Sequence, residues 1–441
     1  MLIKSLPFKN LNADAWRKLA LAAVAFLYIA NFIALILKIG IMNGVGGDYW
    51  AYWSAGRVAR ELGFSHIYDL NIIGQVQYQT ITNTNLPPDI LSPILIPYLY
   101  LSIFVIPFYF LSFLDFPSSF WLWTVVNILA LAFHLSLFMR DLSKSRTLQS
   151  NQKLLLMTLL VSYPVYANLI NGQIELLNVI FCGEFIRHAI NKRPVISGLW
   201  LGGLLLKPQM LILVVLALFL MKNWKILQGF VISAVGILIT SFCLSGVKGS
   251  LDLFKLWTDT DQLNSSFAPE NMANWRMIGV NINTWTSSSQ GWILTILGTL
   301  VTLALWISLI KKKPAMLSSQ WIAVLLSIFS ASCLISWHSH IHTAMVLLPF
   351  LVFLAHRQVN NNSQRIIDFF VFSFPIAWII GSIISILLVI FHKPPVENLT
   401  NFLLGFAGVV VYSYIILAII KTKPQVELSK DPFHDQSMIE Q

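Results

Sequence analysis

The sequence predicts an all-α, polytopic membrane protein, and three observations predict it. Hydrophobic residues make up 56% of the 441 residues and charged residues only 11%, against roughly 25% charged in soluble domains. The apolar residues fall in long runs, of the order of the ~20 residues a helix needs to cross a bilayer. The charged residues bunch between those runs. Backbone polar groups cannot go unpaired in hydrocarbon, so a spanning chain is either helical or a closed barrel. The runs lack the period-two alternation of a barrel, which leaves helices.

Lys4, Lys9, Arg17 and Lys18 precede the first run, near 19–41. That run is too long for a signal-peptide core and has no small-residue cleavage site. It is expected to be a retained helix, with residues 1–18 cytoplasmic. A polar, aromatic-rich stretch, 42–92, is then expected outside. Further apolar runs lie near 93–113, 119–138, 154–170, 173–190, 195–206, 209–221, 226–246, 290–310, 320–336, 343–355, 366–391 and 401–420. They predict about twelve spans in one transmembrane domain, 19–420. A second outer loop is expected at 247–289 and a cytoplasmic tail at 421–441.

Basic clusters at 140–153, Lys192–Arg193, Lys222 with Lys225, 311–313, His356–Arg357 and Lys421 with Lys423 separate several runs. Basic loops stay cytoplasmic, so the loops holding Gly172–Gln173, Asn274–Arg276 and His338–His342 fall outside. Two full spans within 93–138 would put 139–153 outside as well. Either that region contains a broken or re-entrant helix, or the charge rule fails there. The same rule accounts for the net charge of +10 without invoking nucleic acid. Cys182, Cys243 and Cys333 are far apart in apolar runs and read as small hydrophobes.

Candidate chemistry sits in the outer loops. The stretch GGDYWAYWSAGR, 46–57, follows the first helix. Its two glycines permit a tight turn, and Asp48 falls at the start of a short amphipathic helix. Asp48 is either a carboxylate held at the membrane surface to accept a proton from a hydroxyl, or a helix cap beside an aromatic belt. Tyr49, Trp50, Tyr52 and Trp53 suit the headgroup layer. In WHSHIH, 337–342, a helix would put His338 and His342 on one face and His340 on another. Without three convergent ligands or an H-E-x-x-H pattern, the histidines read as phosphate or sugar contacts or as interfacial residues, and no metal or cofactor is expected. Lys207 interrupts an apolar stretch before Pro208, and a cation at bilayer depth usually faces protein or water. It reads as a phosphate contact or as a snorkelling side chain. Arg276 can fork onto phosphate oxygens, and Gln173 can bond a sugar hydroxyl. No Walker loop, dinucleotide fingerprint or serine elbow is present.

Taken in order, these segments resemble glycosyltransferase family 87, the polyprenyl-phosphate-mannose-dependent mannosyltransferase-like proteins of the GT-C fold. The segments are GGDYWAYWSAG with HIYDL at 66–70, LPPDILSPIL at 86–95, NGQIELLN at 171–178, GLWLGGLLLKPQM at 198–210, NWRMIGVN at 274–281 and the tryptophan–histidine segment at 337–342. The resemblance covers about 50–350. It implies a GT-C-like bundle in the cell membrane and an inverting transfer of a sugar, mannose in the family, from a polyprenyl-phosphate donor. The acceptor would be a glycan or glycolipid hydroxyl of the cell envelope, on the extracytoplasmic face. Asp48 takes the family's general-base position. Lys207, Arg276, His338, His340 and His342 would then meet the donor phosphate, and Tyr49, Tyr52, Gln173 and Trp337 the sugar or acceptor. The rival reading is a transporter or flippase-like protein. It should show inverted repeats and charge pairs within the membrane, and neither is visible in the sequence.

Overall fold

The computed structural model describes residues 13–39, 46–82, 95–143, 150–258, 268–312, 314–316, 318–357, 361–392, 396 and 398–421. The first twelve residues, most of 86–95, Asp259, Asp261 and the tail beyond 421 lie outside them. The described residues form α1 (Ala13–Ile39), α2 (Tyr49–Glu61), α3 (Leu70–Thr82), α4 (Ile106–Leu111), α5 (Phe116–Ser143), α6 (Ser150–Leu160), α7 (Tyr163–Asn171), α8 (Glu175–Ile190), α9 (Pro194–Gly202), α10 (Ile212–Leu220), α11 (Trp224–Thr258), α12 (Trp275–Thr286), α13 (Gly291–Lys311), α14 (Ser319–Ile335), α15 (Leu348–Arg357), α16 (Asn361–Ile390) and α17 (Leu399–Lys421). The only strand-like pairing among them is an isolated antiparallel bridge between Met272 and His340. The protein is an all-α, multi-pass membrane protein.

Six helices are long and apolar enough to cross a bilayer: α1, α5, α11, α13, α16 and α17. The pair α6–α7, bent by 47°, makes a seventh if taken as one span. The expected count of about twelve is therefore too high for full spans, and the reason is length. Pro194–Leu206 and Pro208–Leu220 are short apolar helical segments. At 1.5 Å per residue each reaches only about 20 Å, against a hydrocarbon core of ~30 Å.

Packing shows what these two segments do. Gly198 of α9 lies against Ile226 and Phe230 of α11, and Gly202 against Ser233 and Ala234. Helices α9 and α11 thus run parallel from the same end, so residues 203–223 must climb and return. They form a re-entrant hairpin with Lys207 at its apex. Region 93–138 is resolved in the same way. Residues 95–111 hold an extended piece, a short 3-10 turn and the six-residue α4. One full-length helix, α5, follows and places Arg140 at the basic end.

The core has two centres. The larger surrounds α14, from Trp321 to Leu334 buried on every face, as expected of a helix apolar all round. The second surrounds α2, where ten of thirteen residues are buried. Tyr49, Trp50, Tyr52 and Trp53 are therefore core residues and not a headgroup belt, because α4 and the start of α5 fold over them. Helix α1 is mostly exposed and is anchored through Tyr28 stacked on Tyr166 (4.5 Å) and Arg17 paired with Asp368 (3.1 Å). Cys182 and Cys333 are buried and Cys243 is exposed.

Several charged groups pair at helix ends. Arg17 meets Asp368, Arg187 meets Asp141, and Lys312 donates to the last carbonyls of α17. Helix α8 runs from Glu175 down to Arg187 and His188, some 24 Å over its sixteen residues. Glu175 thus lies at the opposite end of α8 from these two basic groups.

Candidate functional site

The site begins where α7 stops. Gly172 caps α7 in the left-handed region (φ 65°), and a Cβ there would stand 2.5 Å from that of Tyr49. Gly46, also left-handed (φ 79°), donates its N–H to Ile170 O at 2.6 Å. These two glycines let the 46–48 turn lie directly on the 172–173 turn. Trp123 braces the latter, donating from Nε1 to Gly172 O at 3.0 Å.

Asp48 occupies the N-cap position of α2 but makes no side-chain cap hydrogen bond. Its Oδ2 instead accepts from Gln173 Nε2 at 2.6 Å. Gln173 Oε1 accepts from Tyr52 OH at 2.7 Å, and Tyr52 OH lies 3.2 Å from Tyr100 OH. The structure thus brings Asp48, Tyr52 and Gln173 together and adds Tyr100. Tyr49 points elsewhere. It is fully buried, its hydroxyl lies 2.6 Å from Ser119 Oγ, and its ring packs among Phe108, Phe116, Phe120 and Trp123.

Lys207, at the hairpin apex, is 2% exposed, and its Nζ forms an ion pair with Glu175 Oε1. It also reaches Thr343 Oγ1 at 3.5 Å. Glu175 Oε2 accepts from Asn178 at 2.6 Å, and His342 Nε2 lies 3.8 Å from Oε1. This is a buried charge pair that sequence inspection does not reveal, because the partners are 32 residues apart.

Residues 336–340 form the far wall. They are not helical: Ser336 (ψ 137°) and His340 (ψ 169°) flank a bend at 337–338. The rings of His338 and His340 lie 4.7 Å apart, and those of His340 and His342 lie 5.5 Å apart. The helical expectation, with His340 turned away, is corrected. The segment is fixed through its carbonyls. Ser336 O accepts from Asn274, Trp337 O from Arg276, His338 O from Gln209 and Ser339 O from Ala273 N, all at 2.8–3.1 Å. Asn274 also caps α12 by accepting from Met277 N. The Arg276 guanidinium stacks on the exposed Trp337 ring at 3.6 Å. Its Nε is buried with no hydrogen-bond partner among the described residues.

The walls form one electrostatic unit. Tyr100 and His340 each feel the charges of Asp48, Glu175 and Lys207, and His338 feels Lys207 and Arg276. Burial pushes the imidazoles of His338 and His340 below their ordinary value. An apolar groove of about 1030 Å³ opens beside the apex. Leu205, Pro208, Leu211, Phe219, Trp224 and Val231 line it between α10 and α11.

Comparison with known proteins then decides the family. The model of glycosyltransferase family 87 matches residues 98–336, more than half of the chain. The chain belongs to glycosyltransferase family 87. The matched range holds Gln173, Glu175, Lys207 and Arg276, while Asp48, Trp337 and the three histidines lie outside it. No curated protein and no solved structure matches the chain. As a family 87 member, the protein is a membrane glycosyltransferase.

Sequence reasoning missed Tyr100, Asn178, Asn274, Gln209 and Thr343. Tyr100, Asn274, Gln209 and Thr343 have partners that are distant in the chain and come from different elements, while Asn178 meets Glu175 three residues before it on α8. Two predictions follow from these contacts. Glu175→Ala alone strands Lys207 as a buried cation and should cost about 3–5 kcal/mol, read as a lower unfolding temperature in detergent. Glu175→Leu with Lys207→Met should recover most of that loss, whereas equal losses in both would contradict the pairing. His338 and His340 bind protons less well folded than unfolded, so they withdraw stability as pH falls below the unfolded value of about 6.5. His338→Gln should flatten the fall in unfolding temperature between about pH 6.5 and 5, relative to the native protein.

Proposed function

We propose that the protein transfers a sugar, mannose by its family resemblance, from a polyprenyl-phosphate donor to a hydroxyl of a glycan or glycolipid acceptor. The transfer inverts the anomeric centre on the extracytoplasmic face of the cell membrane. One observation carries the reading. A carboxylate held purely as a hydrogen-bond acceptor, Asp48, shares one electrostatic cluster with the His338–His340 pair and a buried Arg276 whose Nε has no partner among the described residues, beside an apolar groove.

Each part of that arrangement has a role. Asp48 Oδ1 takes the proton of the acceptor hydroxyl while that oxygen bonds to the anomeric carbon. The bond from that carbon to the phosphate oxygen breaks, and its electrons leave with the polyprenyl phosphate. Base and leaving group stand on opposite faces of the sugar, as inversion requires. The growing phosphate charge falls to the Arg276 guanidinium, whose Nε is buried without a partner among the described residues, an arrangement otherwise costly. The imidazole of His338 adds a donor, and His340, whose Nδ1 faces the Asn271 carbonyl, adds one when protonated. Lys207, its charge matched by Glu175, acts from beneath, and His342 lines the same floor. Tyr52 and Gln173 hold the base. The exposed Trp337 ring, backed by Arg276, offers a flat face to a sugar.

The groove supports a lipid-linked donor. It starts at Leu205 and Pro208, on either side of Lys207, and runs along α10 toward Trp224. An isoprenoid there would have its phosphate at the apex and its tail in hydrocarbon. Orientation rests on the placement of charge along α8. Arg187 and His188 lie at the far end of α8 from Gln173 and Glu175, which by the positive-inside rule supports a site outside and an N-terminus in the cytoplasm.

Asp48→Asn should insert normally and lose transfer by about 10²–10⁴-fold, the usual contribution of a general base. The assay is purified protein with a polyprenyl-phosphate sugar and a hydroxyl acceptor. Retained transfer would remove Asp48 as the base. Leu211→Trp should raise KM for a long-chain donor several-fold while sparing one truncated to a few isoprene units. An equal effect on both would take the tail out of the groove.

A further inference from the structure

We infer that Gln173 is a positioning residue that holds Asp48 by one carboxylate oxygen and directs proton transfer to the other. This rests on Asp48 acting as the base.

Hydrogen-bond roles around Gln173 follow from chemistry. An ionised carboxylate only accepts, so the amide nitrogen must face Asp48, as it does at 2.6 Å. The amide oxygen then faces Tyr52, whose hydroxyl must donate to it, at 2.7 Å. Tyr52 remains able to accept from Tyr100, 3.2 Å away. Every donor in the chain points toward Asp48. A proton placed on Oδ2 would confront the amide N–H, so the network accepts Asp48 only with Oδ2 bare. Among the described residues Oδ1 has no hydrogen bond, and it is the atom left for the acceptor hydroxyl.

The rigidity of this arrangement is visible in its supports. Gln173 is 5% and Tyr52 1% exposed. The Gln173 carbonyl receives Trp123 Nε1 at 3.3 Å. Tyr52 stacks on Phe108 at 5.1 Å. The side chain called a sugar contact from sequence is thus engaged at both ends within the protein. The ionisable groups that feel the charge of Asp48 are Tyr52 from α2, Tyr100 from the 95–101 segment, Lys207 from the hairpin apex and His340 from the far wall. Gln173 is the neutral group among them in direct contact with the carboxylate.

The step it serves is the one already balanced. The acceptor O–H proton moves to Asp48 Oδ1, the oxygen–carbon bond forms, and the phosphate departs with the electron pair of the broken bond. Gln173 touches none of the reacting atoms. It fixes the carboxylate rotamer and donates to the charged form.

The test is the pH profile of kcat for full-length protein carrying Gln173→Ala, Gln173→Glu or Tyr52→Phe, set beside Asp48→Asn, with a polyprenyl-phosphate sugar as donor. Gln173→Ala should lower kcat by about 10–100-fold, within the range of general-base effects, leave donor KM within about twofold, and move the acid limb upward. Gln173→Glu preserves the shape of the side chain and places a second carboxylate against the first. It should move the limb up by at least about one pH unit, because two such charges resist joint ionisation. It also carries the test if Gln173→Ala fails to fold. Tyr52→Phe should shift the limb in the same sense by less. An acid limb unmoved in Gln173→Glu, or a change in KM alone, overturns the inference while loss of transfer in Asp48→Asn leaves the base standing. Transfer retained by Asp48→Asn removes the base and this inference with it.

Discussion

The buried pair of Lys207 and Glu175 is the constraint around which the site is built. A lone cation at membrane depth costs roughly 2.5–3.5 kcal/mol on insertion scales, and a carboxylate there fares no better unless paired. Pairing requires the apex of a re-entrant hairpin to meet the first turn of α8, where the helix dipole also favours a carboxylate. Gln173 stands two residues before Glu175, and Thr343 and His342 contact the pair from the 3-10 turn that follows the far wall. One electrostatic demand therefore sets the relative positions of three segments widely separated in the chain.

Around that pair the site has a division of labour. The wall bearing Asp48 rests on an aromatic core, with Tyr49 and Trp123 buried beneath the 46–48 and 172–173 turns. The opposite wall is a non-helical strip whose carbonyls are each held by a side chain or amide from 209 or 273–276. Both walls are irregular backbone at the ends of helices, and such backbone is tolerated only where protein or water satisfies its polar groups. The catalytic potential of the fold lies in these stiffened irregular pieces, with the long helices serving as their frame.

Much of this was legible in the sequence, and the failures have physical reasons. Long apolar runs such as 290–310 and 401–420 became α13 and α17 because run length alone decides whether a helix spans. The runs 195–206 and 209–221 misled, since hydropathy does not show whether a chain crosses or turns back at Lys207-Pro208. The aromatic residues of 49–53 read as an interfacial belt because their cover, 106–120, is distant in sequence. Spacing suggested a helical reading of 338–342, yet the backbone bends at 337–338 and turns 3-10 helical only from Ile341. Asp48, Lys207, Arg276 and the histidines were each found by type. Their convergence was not, nor was the pairing of Lys207 with Glu175, because contacts across tens of residues leave no local pattern.

The central claim is that a lipid phosphate and the Asp48 carboxylate flank one sugar. A structure of the full-length protein with a non-transferable polyprenyl-phosphate sugar analogue measures this directly. The account predicts the phosphate within hydrogen-bond reach of Arg276 and His338 or His340, the isoprenoid along α10 and α11, and Asp48 Oδ1 facing the anomeric carbon from the other side. A phosphate bound away from Arg276, or a sugar whose anomeric carbon faces away from Asp48, would contradict it.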